Sequence, residues 1–308
     1  MSKKPKIIVI VGPNASGKSE LSVRLAKKMN GEIISADSRQ VYKGLDIGSG
    51  KITKKEMRGV RHHCLSVADP KKVFTALDFK KIAERAIYDI ISRNKVPIIV
   101  GGTGFYIDAA LGRVKLGGVS PNLKLRKKLG GKSATELLKI LKKLDSKRAK
   151  TIEQKNPRRL IRAIEIAAWK KKSHFVNFAG EESKINTAAL IWLGIKRPPE
   201  ELKRRIRARL LKRLPGIICE VKKLHTAPPA GRGLSWKRFY DLGLEYRYVS
   251  LYLRKKMPKD KMIQKILTES WHYAKRQMTW FKKNKEIRWI STNKEAPRRA
   301  PISNKNGK

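Results

Sequence analysis

The stretch GPNASGKS, from Gly12 to Ser19, could hold a phosphate group, and it follows the apolar run IIVIV. It fits the order strand, G-x-x-x-x-G-K-[ST] loop and helix, in which glycines let successive backbone amides point inward. Lys18 would supply a cation, the Ser19 hydroxyl could ligate Mg²⁺, and the helix N-terminus adds partial positive charge. The pattern predicts a phosphate site but does not identify the reaction.

A kinase or nucleotide hydrolase with such a loop commonly has an acidic magnesium ligand at the end of a hydrophobic strand. The run IIVGG ends in glycine at that place, and Asp37 of EIISAD lies two residues beyond its apolar run. Because the carboxyl ends of parallel strands share one crevice, Asp37 should face the bound phosphate compound. It would act there as a base for a second substrate, or it would cap a helix that follows.

The elements that must position these residues alternate between strand and helix. Apolar runs predict buried strands at 6–12, 31–35 and 96–102, and apolar spacing predicts helices from about Lys18 and over 79–91. This alternation indicates an α/β fold, with a P-loop-type parallel sheet flanked by helices.

The composition changes near Gly112. From there to about residue 180 the chain is rich in Lys and Arg and helical in pattern, and the run at 188–195 returns to the sheet. We therefore expect a mostly helical insertion within the α/β core. The expected division is a catalytic core at 1–112 and 183–292, an insertion at 113–182 and a disordered tail at 293–308.

The C-terminal third is also helical in pattern, and WHYAKRQMTWFKK is its clearest segment. Trp271, Ala274, Met278 and Phe281 fall on one face of the predicted helix. We expect that face to pack on the core, with the neighbouring basic residues available to a nucleic acid.

Positive charge dominates the chain, because 74 Lys and Arg residues stand against 25 Asp and Glu, a formal net charge of +49. Such an excess favours polyanionic partners. The basic residues are interleaved with apolar ones, which favours a folded nucleic-acid-binding surface over a disordered basic tail. Adaptation of the surface to solvent or salt is the alternative.

Cysteine, histidine and hydropathy exclude several classes of protein. Two cysteines, Cys64 and Cys219, allow neither a disulfide framework nor a four-cysteine zinc site. The segment RHHC at 61–64 suggests metal ligands, but it has no matching second pair and adjacent strand residues point to opposite faces. The apolar runs are too short to span a membrane, and no signal-peptide core follows the basic N-terminus. We expect a cytoplasmic monomer without membrane contact.

Six stretches occur in the order found in one known family. They are GPNASGKS, GEIISADSRQVYKGLDIGSGK, HHCLSVADP, PIIVGGTGFYIDAAL, NPRRLIRAIEI and YAKRQMTWFKK. With them the chain resembles the tRNA dimethylallyltransferases, which form isopentenyl-adenosine in bacteria and organelles. The segments SADSRQVY, GGTGFYI and YAKRQMTWF are far more specific than the phosphate loop, and the likeness extends from residue 6 to about 290.

The resemblance implies a P-loop-type core with a helical insertion that clasps the anticodon arm of tRNA. It implies transfer of a dimethylallyl group from dimethylallyl diphosphate to the exocyclic amine of the adenine 3′ of the anticodon, with release of diphosphate. The implied partners are tRNA and dimethylallyl diphosphate, and Mg²⁺ is the implied cofactor.

The resemblance also assigns roles to residues. Asp37 becomes the general base, Thr103 lies at the reaction channel, and Arg209 competes with Arg205 for the place beside the diphosphate. The implied donor-binding residues are Gly12, Asn14, Ala15, Ser16, Gly17, Lys18, Ser19 and Arg205, and Ser19 is also the implied metal ligand. The implied tRNA-binding residues are Asp37, Ser38, Arg39, Gln40, Thr103, Arg126, Arg158, Arg159, Leu160, Ile161 and Arg162.

Alternatives stay open at this point. The loop would also suit a small-molecule or nucleoside kinase, a non-enzymatic RNA-binding module, or an adenylate isopentenyltransferase, although the insertion and the charge argue against the last. Pro215 stands where the family usually continues a helix, which leaves the geometry of 214–234 open. DLGLEYRY stands near a family GY motif, so contacts from Gly243 to Arg247 are open too.

Overall fold

Six parallel strands form the sheet of the computed structural model, in the order β3-β2-β4-β1-β5-β6. The strands are β1 Lys6–Val11, β2 Gly31–Ala36, β3 His62–His63, β4 Val96–Gly101, β5 Ala189–Lys196 and β6 Arg288–Ser291. The structure describes residues 5–114, 116, 119, 121–172, 188–227 and 233–291. The predicted tail at 293–308 and residues 173–182 of the predicted insertion lie outside these ranges.

Twelve helices accompany the sheet in the described residues. They are α1 Lys18–Lys28, α2 Lys54–Met57, α3 Ala76–Ser92, α4 Gly104–Ala110, α5 Leu123–Leu129, α6 Ala134–Leu144, α7 Ser146–Thr151, α8 Pro157–Lys172, α9 Pro199–Thr226, α10 Trp236–Leu242, α11 Leu244–Leu253 and α12 Lys259–Phe281. The chain divides into two compact units, a first of Met1–Val114 with Lys184–Lys308 and a second of Lys115–Ser183. The parallel α/β sheet predicted from the sequence is confirmed.

The central strands are apolar on both faces because helices cover both sides of the sheet. Ile7, Val9 and Val11 of β1 join one apolar cluster, whereas Ile8 and Ile10 join another on the opposite face. The strand register then fixes where the functional loops emerge. Val11 of β1 pairs with Gly101 of β4, and Gly101 pairs with Ala36 of β2. These three strands, which are neighbours in the sheet, therefore end side by side.

Helix α9 continues through Pro215, where the sequence left the geometry open. A proline inside a helix lacks an amide donor and crowds the preceding turn. A continuous buried face supports the helix on both sides of it, formed by Leu202, Ile206, Leu210, Leu214, Ile217 and Val221. Packing therefore outweighs the local cost of the proline.

Helix α12 presents to the core a face that only partly matches the one predicted. Ala274 and Phe281 are buried as expected, but Trp271 and Met278 are only half-buried. The polar residues Ser270 and Gln277 take buried positions on that face. The apolar pattern predicted the helix correctly and its rotation incorrectly.

The second unit has a helical core of its own. Leu137, Leu141 and Leu160 are fully buried there, with Ala149 and Ile164 beside them. Helices α6, α7 and α8 supply these side chains, and Leu129 of α5 joins the same cluster. In the described residues of the chain, no helix is long and apolar enough to cross a membrane.

Candidate active site

A pocket of about 420 Å³ opens where the central strands end. The phosphate loop follows β1, the segment from Asp37 follows β2, and Gly102 follows β4. All three segments contribute to the lining. The predicted site residues among those that line it are Asn14, Ala15, Lys18, Ser19, Asp37, Ser38, Arg39 and Gln40.

Basic side chains hold the phosphate loop from outside. Arg197 Nε donates to the Ser16 carbonyl at 2.7 Å, and Arg205 Nε donates to the Ala15 carbonyl at 2.8 Å. Arg205, with Ser16 and Gly17, lines an adjoining pocket of about 630 Å³. Arg205 therefore contacts the loop backbone itself, and Arg197, which the sequence reasoning missed, does the same.

Lys18 lies in a crowded electropositive environment. Its Nζ donates to the Pro13 carbonyl at 2.9 Å. Burial lowers the pKa of Lys18 to about 8, and the positive charge of Arg209 adds to this shift, while Asp37 acts in the opposite direction. A bound polyanion would reverse these penalties, because an opposite charge favours the ammonium form.

Asp37 closes a turn instead of capping a helix, since residues 38–41 form a turn. Its Oδ1 accepts the backbone amides of Arg39 at 2.8 Å and Gln40 at 3.3 Å. The backbone amide of Ser38, which directly follows Asp37, donates to Thr103 Oγ1 at 3.1 Å. The structure thus brings Asp37 and Thr103, predicted from distant motifs, into one hydrogen-bonded turn.

Helix α9 also fixes the segment 46–50 at the rim of the pocket. Arg209 donates to the Gly50 carbonyl at 3.0 Å, and Arg213 donates to the Gly48 carbonyl at 2.9 Å. Glu220 accepts the amides of residues 46, 47 and 48 and the hydroxyl of Tyr246 at 2.6 to 3.0 Å. Arg209 lines both pockets and its charge acts on Lys18, whereas Arg205 lines the adjoining pocket alone, so both arginines lie beside the phosphate loop.

Residues from the DLGLEYRY segment reach the same pocket. Gly243, Glu245 and Arg247 line it, and burial raises the pKa of Glu245 despite the nearby charge of Arg213. Arg39 Nε donates to the Leu242 carbonyl at 2.6 Å, which ties this segment to the Asp37 turn. The altered motif therefore still lies at the site.

Helix α12 supplies polar residues that sequence reasoning missed. Tyr273 and Gln277 line the pocket, and Gln277 Nε2 donates to the carbonyl of Gly102, which precedes Thr103, at 2.9 Å. Burial raises the pKa of Tyr273 to about 12, so its hydroxyl stays protonated at neutral pH. The specific segment YAKRQMTWF contains both residues. Gln277 lies three residues after Ala274 and four before Phe281, and this position on the apolar face of the helix was the signal available in the sequence.

The residues predicted to bind tRNA in the second unit occupy different environments. Arg126 forms two hydrogen bonds of 2.8 Å to buried Glu165, and Arg162 donates to Glu165 at 3.2 Å and to the Val119 carbonyl at 2.6 Å. Arg158 and Arg159 are exposed, and Ile161 is half-buried. Leu160 is fully buried, so its side chain packs in the helical core and offers no RNA contact.

The two histidines of RHHC point to different partners. His62 Nδ1 contacts the Val60 carbonyl at 2.8 Å, and His63 Nε2 contacts Glu32 at 2.7 Å. Arg93 and Lys95 also bind Glu32, and Asp89 lies close by. Cations already compensate this buried carboxylate, which accounts for the cluster without a metal.

Comparisons with known proteins agree with this arrangement. The family model described as IPP transferase matches residues 40–284. A tRNA dimethylallyltransferase 2 of Treponema denticola is 39% identical over 92% of this chain and 93% of its own length. A second protein of that name, from Trichlorobacter lovleyi, is 39% identical over 92% and 89%.

A solved structure extends the likeness to the fold. The full-length tRNA isopentenylpyrophosphate transferase of Bacillus halodurans is 34% identical, with a TM-score of 0.66 over 94% of this chain and 90% of that one. None of these names supports the kinase alternative. The phosphate loop, the Asp37 turn and α12 therefore belong to a known architecture, and the chain is a member of the IPP transferase family, the tRNA dimethylallyltransferases.

Proposed function

We propose that this chain transfers a dimethylallyl group from dimethylallyl diphosphate to the exocyclic amine of the adenine 3′ of the anticodon in tRNA. One observation carries the assignment of residues. A phosphate loop and a carboxylate held in a fixed turn line the same pocket, so a leaving diphosphate and an acceptor amine can meet there.

The phosphate loop binds the diphosphate of the donor. Lys18 and Ser19 at the N-terminus of α1 line the pocket, and the charges of Lys18 and Arg209 add to the partial positive charge of the helix end. Arg205 supports the loop from behind, because its Nε is bonded to the Ala15 carbonyl. Stabilising negative charge as it grows on the leaving group is the largest contribution expected in such a site.

Mg²⁺ fits the chemistry of the donor set at this loop. Ser19 is exposed and lines the pocket, where its hydroxyl can approach an ion beside the diphosphate. Hydroxyl, carboxylate and phosphate oxygens are the hard ligands that Mg²⁺ prefers. We assign Ser19 as its protein ligand, and the ion would neutralise charge on the diphosphate.

Asp37 accepts a proton from the adenine amine. Its Oδ1 is engaged by two backbone amides, so we assign Oδ2 to the substrate. As the bond from carbon to the diphosphate oxygen breaks, the diphosphate leaves with the electron pair. The amine nitrogen bonds to the allylic carbon, and its proton passes to Asp37. Thr103, bonded to Ser38, fixes the turn that aims the carboxylate.

Apolar residues separate the donor carbons from water. Ile206, Leu210 and Val100 supply apolar lining to the pocket between the charged groups. An allylic cation reacts with any nucleophile that reaches it, and exclusion of water favours the amine. The target base must leave its stack to enter this pocket.

The second unit and the basic surface of the first provide the contacts to RNA phosphates. Exposed Arg158 and Arg159 are the strongest candidates among the predicted residues of α8. Arg126 and Arg162 instead have internal partners in Glu165, and we assign them to holding the unit in shape. Action as a monomer in the cytoplasm stays a prediction.

The test is transfer of labelled dimethylallyl diphosphate to an anticodon stem-loop. Asp37→Ala should bind RNA within about threefold of the unaltered chain and lose about 10²- to 10⁴-fold in turnover, the usual contribution of a general base. Glu200→Ala removes an exposed carboxylate and serves as the control. Near-normal turnover of Asp37→Ala would refute the base assignment. Absence of transfer by the unaltered chain would refute the proposed function.

A further inference from the structure

A glutamine is buried in the part of α12 that faces the candidate site. Gln277 is 5% exposed, and it shares the buried face of the helix with the apolar residues Ala274 and Phe281. Burying an amide is costly unless its oxygen and its nitrogen both find partners. The position of Gln277 therefore depends on what it contacts.

Both ends of the amide bond to functional segments. Its Oε1 accepts the backbone amide of Asn14 at 2.8 Å, and its Nε2 donates to the Gly102 carbonyl at 2.9 Å. Asn14 belongs to the phosphate loop, and Gly102 directly precedes Thr103. One side chain thus bridges the segment that binds the donor and the segment that fixes the acceptor turn.

The surrounding contacts show that α12 is fitted closely to this place. A Cβ at Gly102 would overlap Gln277 Nε2, and a Cβ at Gly104 would overlap the Trp280 ring. Glycine at both positions lets the turn approach the helix. The asparagine amide of the loop adds a longer contact, from Asn14 Nδ2 to the Ser270 carbonyl at 3.5 Å.

Thr103 continues the link toward the acceptor turn. It directly follows Gly102, and its Oγ1 accepts the Ser38 amide, next to Asp37, at 3.1 Å. Tyr273 of the same helix lines the pocket beside these groups. Asn14 is therefore connected to the turn that holds Asp37 by three hydrogen bonds and the peptide bond between Gly102 and Thr103.

We propose that Gln277 is a positioning residue that sets the separation between the donor loop and the acceptor turn, an inference that rests on the proposed transfer reaction. The phosphate loop and the Gly102 turn follow neighbouring strands but are otherwise separate segments of chain. Bond formation between two bound substrates is sensitive to errors of about 1 Å in their alignment. The bridge removes the freedom of the two segments to move apart.

The proposal is tested with Gln277→Met, which keeps the size of the side chain and removes both hydrogen bonds. We measure the single-turnover transfer rate per folded active site, with dimethylallyl diphosphate and a stem-loop RNA both saturating. The rate should fall about 100-fold. The dissociation constants for each substrate alone should change less than about threefold, because both ends of the Gln277 amide are engaged within the protein. Gln264→Met alters an exposed glutamine of the same helix and should leave the rate unchanged.

Gln277→Glu supplies an independent variant. It retains the acceptor for Asn14 and loses the amide donor to Gly102. The buried carboxylate should lower the folded fraction, and the rate per folded site should fall as in Gln277→Met because the link to Gly102 is lost. A wild-type rate per folded site in either variant would overturn the proposal. So would a loss confined to substrate affinity or to the folded fraction. Failure of the unaltered chain to transfer would instead refute the proposed function.

Discussion

The pH dependence of donor capture should follow Lys18. The pKa of this group is lowered to about 8, mainly by burial and then by Arg209. Lys18 is therefore positively charged below pH 8 and loses its charge above it. With a pKa of about 8, the charged fraction falls from about 0.9 at pH 7 to about 0.1 at pH 9. If only the ammonium form binds the diphosphate, kcat/KM for the donor should fall roughly tenfold over this range.

The assay compares kcat/KM with kcat, because the first reports the free enzyme and the second reports the bound complex. Bound diphosphate should raise the pKa of Lys18, since an opposite charge favours the ammonium form. We therefore expect kcat to stay nearly level between pH 7 and 9 while kcat/KM falls. The RNA is kept saturating throughout.

Lys18→Arg separates this explanation from a general loss of activity at high pH. A guanidinium stays charged throughout the range, so the fall in kcat/KM should disappear even if the absolute value is lower. A level profile for the unaltered chain would refute the reasoning about burial and Arg209. An unchanged fall in Lys18→Arg would assign the titration to another group.

Two further expectations concern RNA binding and the second unit. The affinity for a stem-loop should fall about 10³-fold between about 50 and 200 mM salt if six or more phosphates are contacted. A filter-binding titration measures it, and an affinity that does not change with salt would show that the net charge of +49 does not drive RNA binding. Glu165→Leu should destabilise the second unit by about 2 kcal/mol, because it leaves partly exposed Arg126 and Arg162 without their buried carboxylate. Hydrogen exchange of α8 measures this loss. Glu153→Leu, which breaks an exposed pair with Arg159, should change protection by less than about 0.5 kcal/mol.

The sequence predicted the segments that follow the central strands because local pattern determines them. Apolar runs identified β1, β2 and β4, and the loop after each run contains a predicted residue of the site. The convergence of Asp37 with the phosphate loop followed from the rule for parallel sheets, and both line the pocket. Resemblance added Thr103, whose contact with Ser38 is visible only in three dimensions.

The supporting contacts could not be predicted in the same way. Arg197, Glu220 and Gln277 act on segments far away along the chain, and no periodicity links them to their partners. In α12 the apolar pattern even favoured Met278 over Gln277 for the buried face. Long-range packing fixed the rotation of the helix, and hydrogen bonds to two loops made burial of the amide acceptable.

The cations around the phosphate loop are arranged so that diphosphate relieves a cost already present in the protein. Arg197 and Arg205 hold loop carbonyls, and Arg209 lowers the pKa of Lys18. Arg197 is already paired with Glu201, whereas the charge of Arg209 disfavours that of Lys18 until an anion enters. This relief grows as negative charge develops on the leaving diphosphate, so the arrangement stabilises the transition state more than the bound donor. Burial, with the charge of Arg209 added, accounts for the lowered pKa of Lys18, and in the proposed reaction the same buried cations favour departure of the diphosphate.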